Sequence, residues 1–138
     1  LNQIASFYAP VNFDSCLLYS TRAFQLATLN KYSYGTGMAK YHEGNAYYYK
    51  MDFKNALLSY LSAQPLFENG HHYNELGYLY LMLGYMNFFI MRSDKANAYY
   101  RKAIGCFQES GNAEFVSNTY GLNEASRRKR LGIRPLGD

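Results

Sequence analysis

Tryptophan is absent from the chain, and there are only three prolines and two cysteines among 138 residues. Valine and isoleucine are scarce as well, while Ala, Leu, Tyr and Asn dominate. Strands favour β-branched residues and helices do not, so this composition points to helix. Two cysteines, Cys16 and Cys106, are too few for a disulfide framework and read as free thiols on helices. No charged-then-apolar leader opens the chain. Leu1 in place of Met reads as the boundary of a longer or processed chain, and the lack of a targeting signal points to a cytoplasmic setting. The longest uncharged run, Leu76 to Met91 between Glu75 and Arg92, is sixteen residues. A membrane span needs roughly 20, so this segment reads as a helix buried among protein neighbours. The first expectation is therefore an all-α chain with no membrane span.

What is present is aromatic. Tyr supplies 16 residues and Phe nine, against a hydrophobic content of 49%. The net charge of +4 is local. Up to Ser126, nine basic residues cancel nine acidic ones; the surplus is Arg127, Arg128, Lys129, Arg130 and Arg134 less Asp138. A neutral body with a basic end is not a surface built for nucleic acid.

Slid against itself by forty residues, the chain matches without gaps. Cys16, Ala56 and Ala96 coincide, as do Ala23, Ala63 and Ala103. Phe7-Tyr8 falls on Tyr47-Tyr48, Phe13 on Phe53, Gly44 on Gly84, and Phe67 on Phe107. Small residues at fixed places on paired helices signal close backbone approach, as a stack of helical hairpins requires. The succession Gly44-x-x-Tyr47, Ala56-x-x-x-Tyr60, Ala63, followed by Leu83-Gly84, Ala96-x-x-x-Tyr100, Ala103, resembles the tetratricopeptide repeat. The longer period is similar to the extended repeats of kinesin light chain, spindle-orientation adaptors and bacterial signalling proteins. Three departures stand out: no Trp, Asn87 where Tyr is expected, and Glu43 in place of the Leu before the glycine.

The resemblance implies a right-handed α-solenoid of antiparallel helical hairpins. It forms one domain over 1–138, with repeats at about 1–33 (truncated), 34–70, 71–110 and 111–138 (truncated, capping). Breakers and caps place a first helix up to Ala9, ended by Pro10, then helices at about 13–30, 37–51, 53–68, 72–91, 94–109 and 113–131. Ser33 to Gly37 is expected to be a loop. Asp52 is expected as an N-cap, Asn69-Gly70 as a C-cap, and Ser93 and Asn112 as the openings of the last two helices.

In the family, the first helix of each pair lines a concave groove. The resemblance places Tyr8, Tyr41, Asn45, Tyr48, Tyr78, Leu81, Tyr85 and Phe88 there, with Tyr8, Tyr48 and Phe88 as an aromatic row. Tyr49, Phe89 and Tyr78 fit core or groove equally. A clamp for a partner's terminal carboxylate finds only Asn45 in place, so an extended or helical apolar segment is the better ligand.

The remaining motifs carry no chemistry. Ser33-Tyr-Gly-Thr-Gly37 lacks the Lys-Ser/Thr ending of a phosphate loop. His71-His72 has no Cys or acidic residue at ligand spacing, and Cys106 has no His-Asn or His-Asp arrangement. No catalytic set, cofactor or metal is expected. Arg127, Arg128, Lys129 and Arg130 complement the last helix's dipole, with contact to nucleic acid or an acidic partner as the alternative. The expected function is a module binding a peptide or helix of a partner protein within a larger signalling or regulatory protein; self-association is the rival.

Overall fold

The computed structural model describes residues 13–29 and 33–132. The expected helix before Pro10, with Tyr8, lies outside them, as does Arg134. Among the described residues the chain is all helical: α1 (Phe13–Leu29), α2 (Ser33–Tyr49), α3 (Phe53–Asn69), α4 (Tyr73–Phe89), α5 (Ser93–Ser110) and α6 (Ala113–Arg130). Contacts divide the chain into two compact units, Leu1–His72 and Tyr73–Asp138. In the first, α2 packs on α1 and α3; in the second, α5 packs on α4 and α6.

A turn recurs every twenty residues. Met51, His71, Met91 and Gly111 all have positive φ, at 63°, 55°, 67° and 73°. At the first, Met51 N–H donates to the Tyr48 carbonyl and Asp52 N–H to the Tyr47 carbonyl, both at 2.9 Å. The same two bonds recur at His71 and His72, at Met91 and Arg92, and at Gly111 and Asn112. This left-handed termination satisfies carbonyls the helix end leaves open. Only Gly111 adopts it without a Cβ penalty; Met51, His71 and Met91 each bear a cost of about 1 kcal/mol.

Three boundary expectations change. Ser33–Gly37 is the first turn of α2, not a loop. Its glycines are weak helix formers, but Gly35 and Gly37 are buried and tertiary packing holds them in the helix. Gly70 does end α3, yet its φ is −88° and the left-handed residue is His71. Ser93 does not cap α5: the N-cap is Arg92, which makes no side-chain capping bond. Ser93 is buried instead, its carbonyl accepting a bond from Ser126 Oγ at 3.1 Å. Asp52 and Asn112 cap as expected, accepting from the Asn55 and Phe115 amides at 3.2 Å each. Pro65 lies inside α3 on its exposed side, where the bond lost toward Leu61 leaves a carbonyl facing water.

The helices of each hairpin run antiparallel, and the contacts give the register. Gly37 lies against Phe67 and Gly44 against Tyr60; Gly77 lies against Phe107 and Gly84 against Tyr100. Seven residues forward on one helix is seven back on its partner. Tyr60, Phe67, Tyr100 and Phe107 are the largest fully buried side chains. A Cβ at Gly44 would stand 2.5 Å from the Tyr60 ring, and one at Gly77 2.6 Å from Phe107. Only glycine admits these rings. Ala56, Ala63, Ala96 and Ala103 are fully buried too, so the small positions of the forty-residue repeat are sites of close approach. Both cysteines are free.

Candidate partner-binding surface

The residues assigned to the groove fall into two clusters, one in each unit. In the first, Tyr41 packs on His42 at 5.5 Å and on Tyr60 at 6.0 Å between ring centroids. Asn45 Oδ1 accepts a 2.6 Å bond from the Tyr60 hydroxyl. Asn45 is thereby committed to satisfying a buried phenol. Tyr48 is half-buried, stacked on Phe53 at 5.8 Å and edge-on to Tyr49 at 5.6 Å. Burial, and then the neighbouring Tyr49, raise its hydroxyl pKa. Tyr49 itself is 51% exposed.

In the second unit Tyr78 sits edge-on to Phe107 at 5.3 Å and to Phe115 at 4.9 Å, filling the junction of α4, α5 and α6. Leu81 is buried, and Tyr85 packs edge-on to Tyr100 at 6.3 Å. Phe88 is half-buried, with Lys129 Nζ 4.3 Å from its ring centroid, a cation–π contact. Phe89 is 57% exposed. Of the three residues that fitted core or groove equally, Tyr78 is packed into the unit, whereas Tyr49 and Phe89 face solvent.

The departures from the repeat pattern have local causes. Glu43 accepts from Ser59 Oγ at 2.7 Å and pairs with Lys40 at 3.4 Å, a polar alternative to the buried Leu83 of the next copy. Asn87 donates to the Leu83 carbonyl at 2.8 Å. The basic cluster is knitted into its own helix. Arg127 makes a two-point contact with Glu124 (3.0 and 2.8 Å), and Arg128 reaches the same carboxylate at 3.1 Å. The hydrogen bond from Arg127 leads the causes that lower the Glu124 pKa.

Two features escaped the sequence reading. Gly37 and Gly77 match at the same forty-residue offset but were hidden by taking Ser33–Gly37 as a loop. The second is an apolar end on each hairpin: Met51 is 60% exposed beside Tyr49, and Ile90 and Met91 are 50% and 70% exposed beside Phe89. Tyr49 and Phe89, like Met51 and Met91, are forty residues apart.

No protein-family model, curated protein or solved structure gives a significant match to this chain. Among the described residues no helix is long and apolar enough to cross a membrane.

Proposed function

We propose that this chain is a tetratricopeptide-like module whose hairpins belong to a right-handed solenoid and hold a peptide or helix of a partner protein. One observation carries the reading. Equivalent places of two successive hairpins present the same arrangement, a half-buried ring (Tyr48, Phe88) beside exposed apolar side chains (Tyr49 and Met51, Phe89 and Met91). A helical hairpin gains nothing in its own stability from such exposure. Rigid aromatic anchors flanked by adaptable methionines are what a protein-binding surface uses. The charge balance of the chain before Arg127 fits an apolar ligand better than a phosphate backbone.

A peptide selected against the folded chain from a random display library, with photo-crosslinking to map its contacts, tests this. Crosslinks are expected at Tyr48, Tyr49, Phe88 and Phe89, and Tyr48→Ala with Phe88→Ala should weaken the peptide by about 2 kcal/mol or more while far-UV circular dichroism stays unchanged. Binding that survives both substitutions, with crosslinks elsewhere, would move the ligand off these residues.

A further inference from the structure

α6 packs on α5 along one side, and its other side is built to match itself. Ala113, Ser117, Tyr120 and Leu131 fall on one stripe of three- and four-residue steps, and all four are exposed, Tyr120 and Leu131 at 53% each. At its start the stripe borders an open cavity of about 480 Å³ whose walls include Phe107, Val116 and Tyr120. Such spacing is what a helix presents to a second helix laid along it. Flanking the stripe on one edge stand Glu114 and Arg128, each seven residues from Gly121, which is exposed and has no atom within 4 Å of where its Cβ would be.

That symmetry decides the occupant. A twofold axis at Gly121 would lay α6 of one copy antiparallel on α6 of another. Glu114 of each then faces Arg128 of its partner, and the two Tyr120 rings lie near the centre. A parallel pairing would instead set Glu114 beside Glu114 and Arg128 beside Arg128, which like charges oppose. Gly121 lowers the helix propensity of an exposed position by about 1 kcal/mol relative to Ala; at the axis it lets two backbones approach. We propose that a second copy of this chain docks on α6 in this antiparallel arrangement, an isologous contact separate from the Tyr48 and Phe88 surface. The face is short, about 27 Å for eighteen residues, and buries less than a standard interface of ~1,600 Å². Self-association should accordingly be weak, with a dissociation constant on the order of micromolar to tens of micromolar.

Sedimentation equilibrium of the intact chain over a range of concentrations, with charge-swapped variants, tests the proposal. Wild type should show a monomer–dimer equilibrium. Glu114→Arg alone and Arg128→Glu alone should each weaken it by about tenfold or more, because each places like charges face to face. An equimolar mixture of the two variants should dimerise with nearly wild-type affinity, since Arg at 114 of one then meets Glu at 128 of the other and the native pair forms on the opposite side. Variants that simply disturb α6 would not recover on mixing. A wild type that stays monomeric throughout, or a dimer indifferent to both reversals, overturns the proposal; so does a mixture that remains monomeric.

Discussion

Replacing Tyr100 with Ala is expected to cost the second unit about 3–5 kcal/mol, the range for deleting a fully buried aromatic side chain. The ring is 1% exposed and lies flat against the bare backbone of Gly84, with Tyr85 edge-on to it. Nothing on either helix is free to move into its place, because the glycine has no side chain to offer and the alanines on the facing helix, Ala96 and Ala103, are already fully buried. Gly84→Ala should also destabilise, by about 1–3 kcal/mol through overpacking, even though Ala favours a helix over Gly by about 1 kcal/mol. The sign is informative: at Gly105, where a Cβ meets nothing within 4 Å, the same change should stabilise by roughly 0.5–1 kcal/mol. Combining Gly84→Ala with Tyr100→Leu should cost less than the sum of the single changes, because the smaller side chain removes the clash. Urea denaturation of the four variants measures all of this, and additive effects would mean that the ring does not rest on the glycine.

The largest pH effect is expected from His42. Its side chain is 6% exposed, its Nδ1 has no hydrogen-bond partner, and desolvation by burial lowers its pKa from 6.5 to about 4. Around it stand Tyr41, edge-on at 5.5 Å, and Cys16, whose thiol donates to the His42 carbonyl at 3.6 Å. Burial raises the Cys16 pKa, so the thiol is neutral where His42 titrates and supplies no counter-charge. The unfolded chain binds a proton at this histidine below about pH 6.5 and the folded chain does not until about pH 4. Stability contributed by the neutral imidazole is therefore fully present above pH 6.5 and is lost as pH falls toward 4, by about 3 kcal/mol in all at 1.36 kcal/mol per unit. His42→Met, which installs the residue found forty positions later at Met82, should remove this slope between pH 6.5 and 4 while leaving stability at pH 7.5 close to wild type or above it. Stability that falls equally steeply in the variant would assign the acid sensitivity to other groups.

Much of the architecture is readable from residue spacing alone. The alanines at 56, 63, 96 and 103 and the glycines at 44 and 84 mark close approach because small size at a fixed period has few other causes, and each is buried. Asp52 and Asn112 announce themselves as caps because a short side chain with an acceptor at its end suits only a few places on a helix. Elsewhere local chemistry was overruled by contacts distant in sequence. Three glycines within twelve residues argue for a loop, yet Gly37 belongs in a helix because Phe67 requires a surface without a Cβ. Ser93 is a good cap by type, but the twenty-residue period places the cap one residue earlier, on Arg92.

The surface was less legible than the core. The family pattern names positions on the first helix of each hairpin without saying which contacts they satisfy. Asn45 is occupied by the Tyr60 hydroxyl and Tyr78 by two phenylalanines, partners set by the pairing register rather than by the neighbouring sequence. The exposed methionines at the turns are unmarked for a different reason. A left-handed position predicts Gly or Asn, and nothing in the local sequence singles out Met51 or Met91 for that conformation.

The central claim is that two successive hairpins, forty residues apart, are built by the same four contacts between an aromatic ring and a glycine. Nuclear magnetic resonance on protein carrying ¹³C-labelled glycine reads those contacts directly, since an aromatic face shifts the α-protons beneath it upfield and gives cross-relaxation to ring protons. The account predicts upfield-shifted α-protons at Gly37, Gly44, Gly77 and Gly84, with cross-peaks to Phe67, Tyr60, Phe107 and Tyr100 respectively, and ordinary shifts at Gly105 and Gly121. Ordinary shifts at Gly44 and Gly84, or cross-peaks pairing them with rings other than Tyr60 and Tyr100, would contradict it.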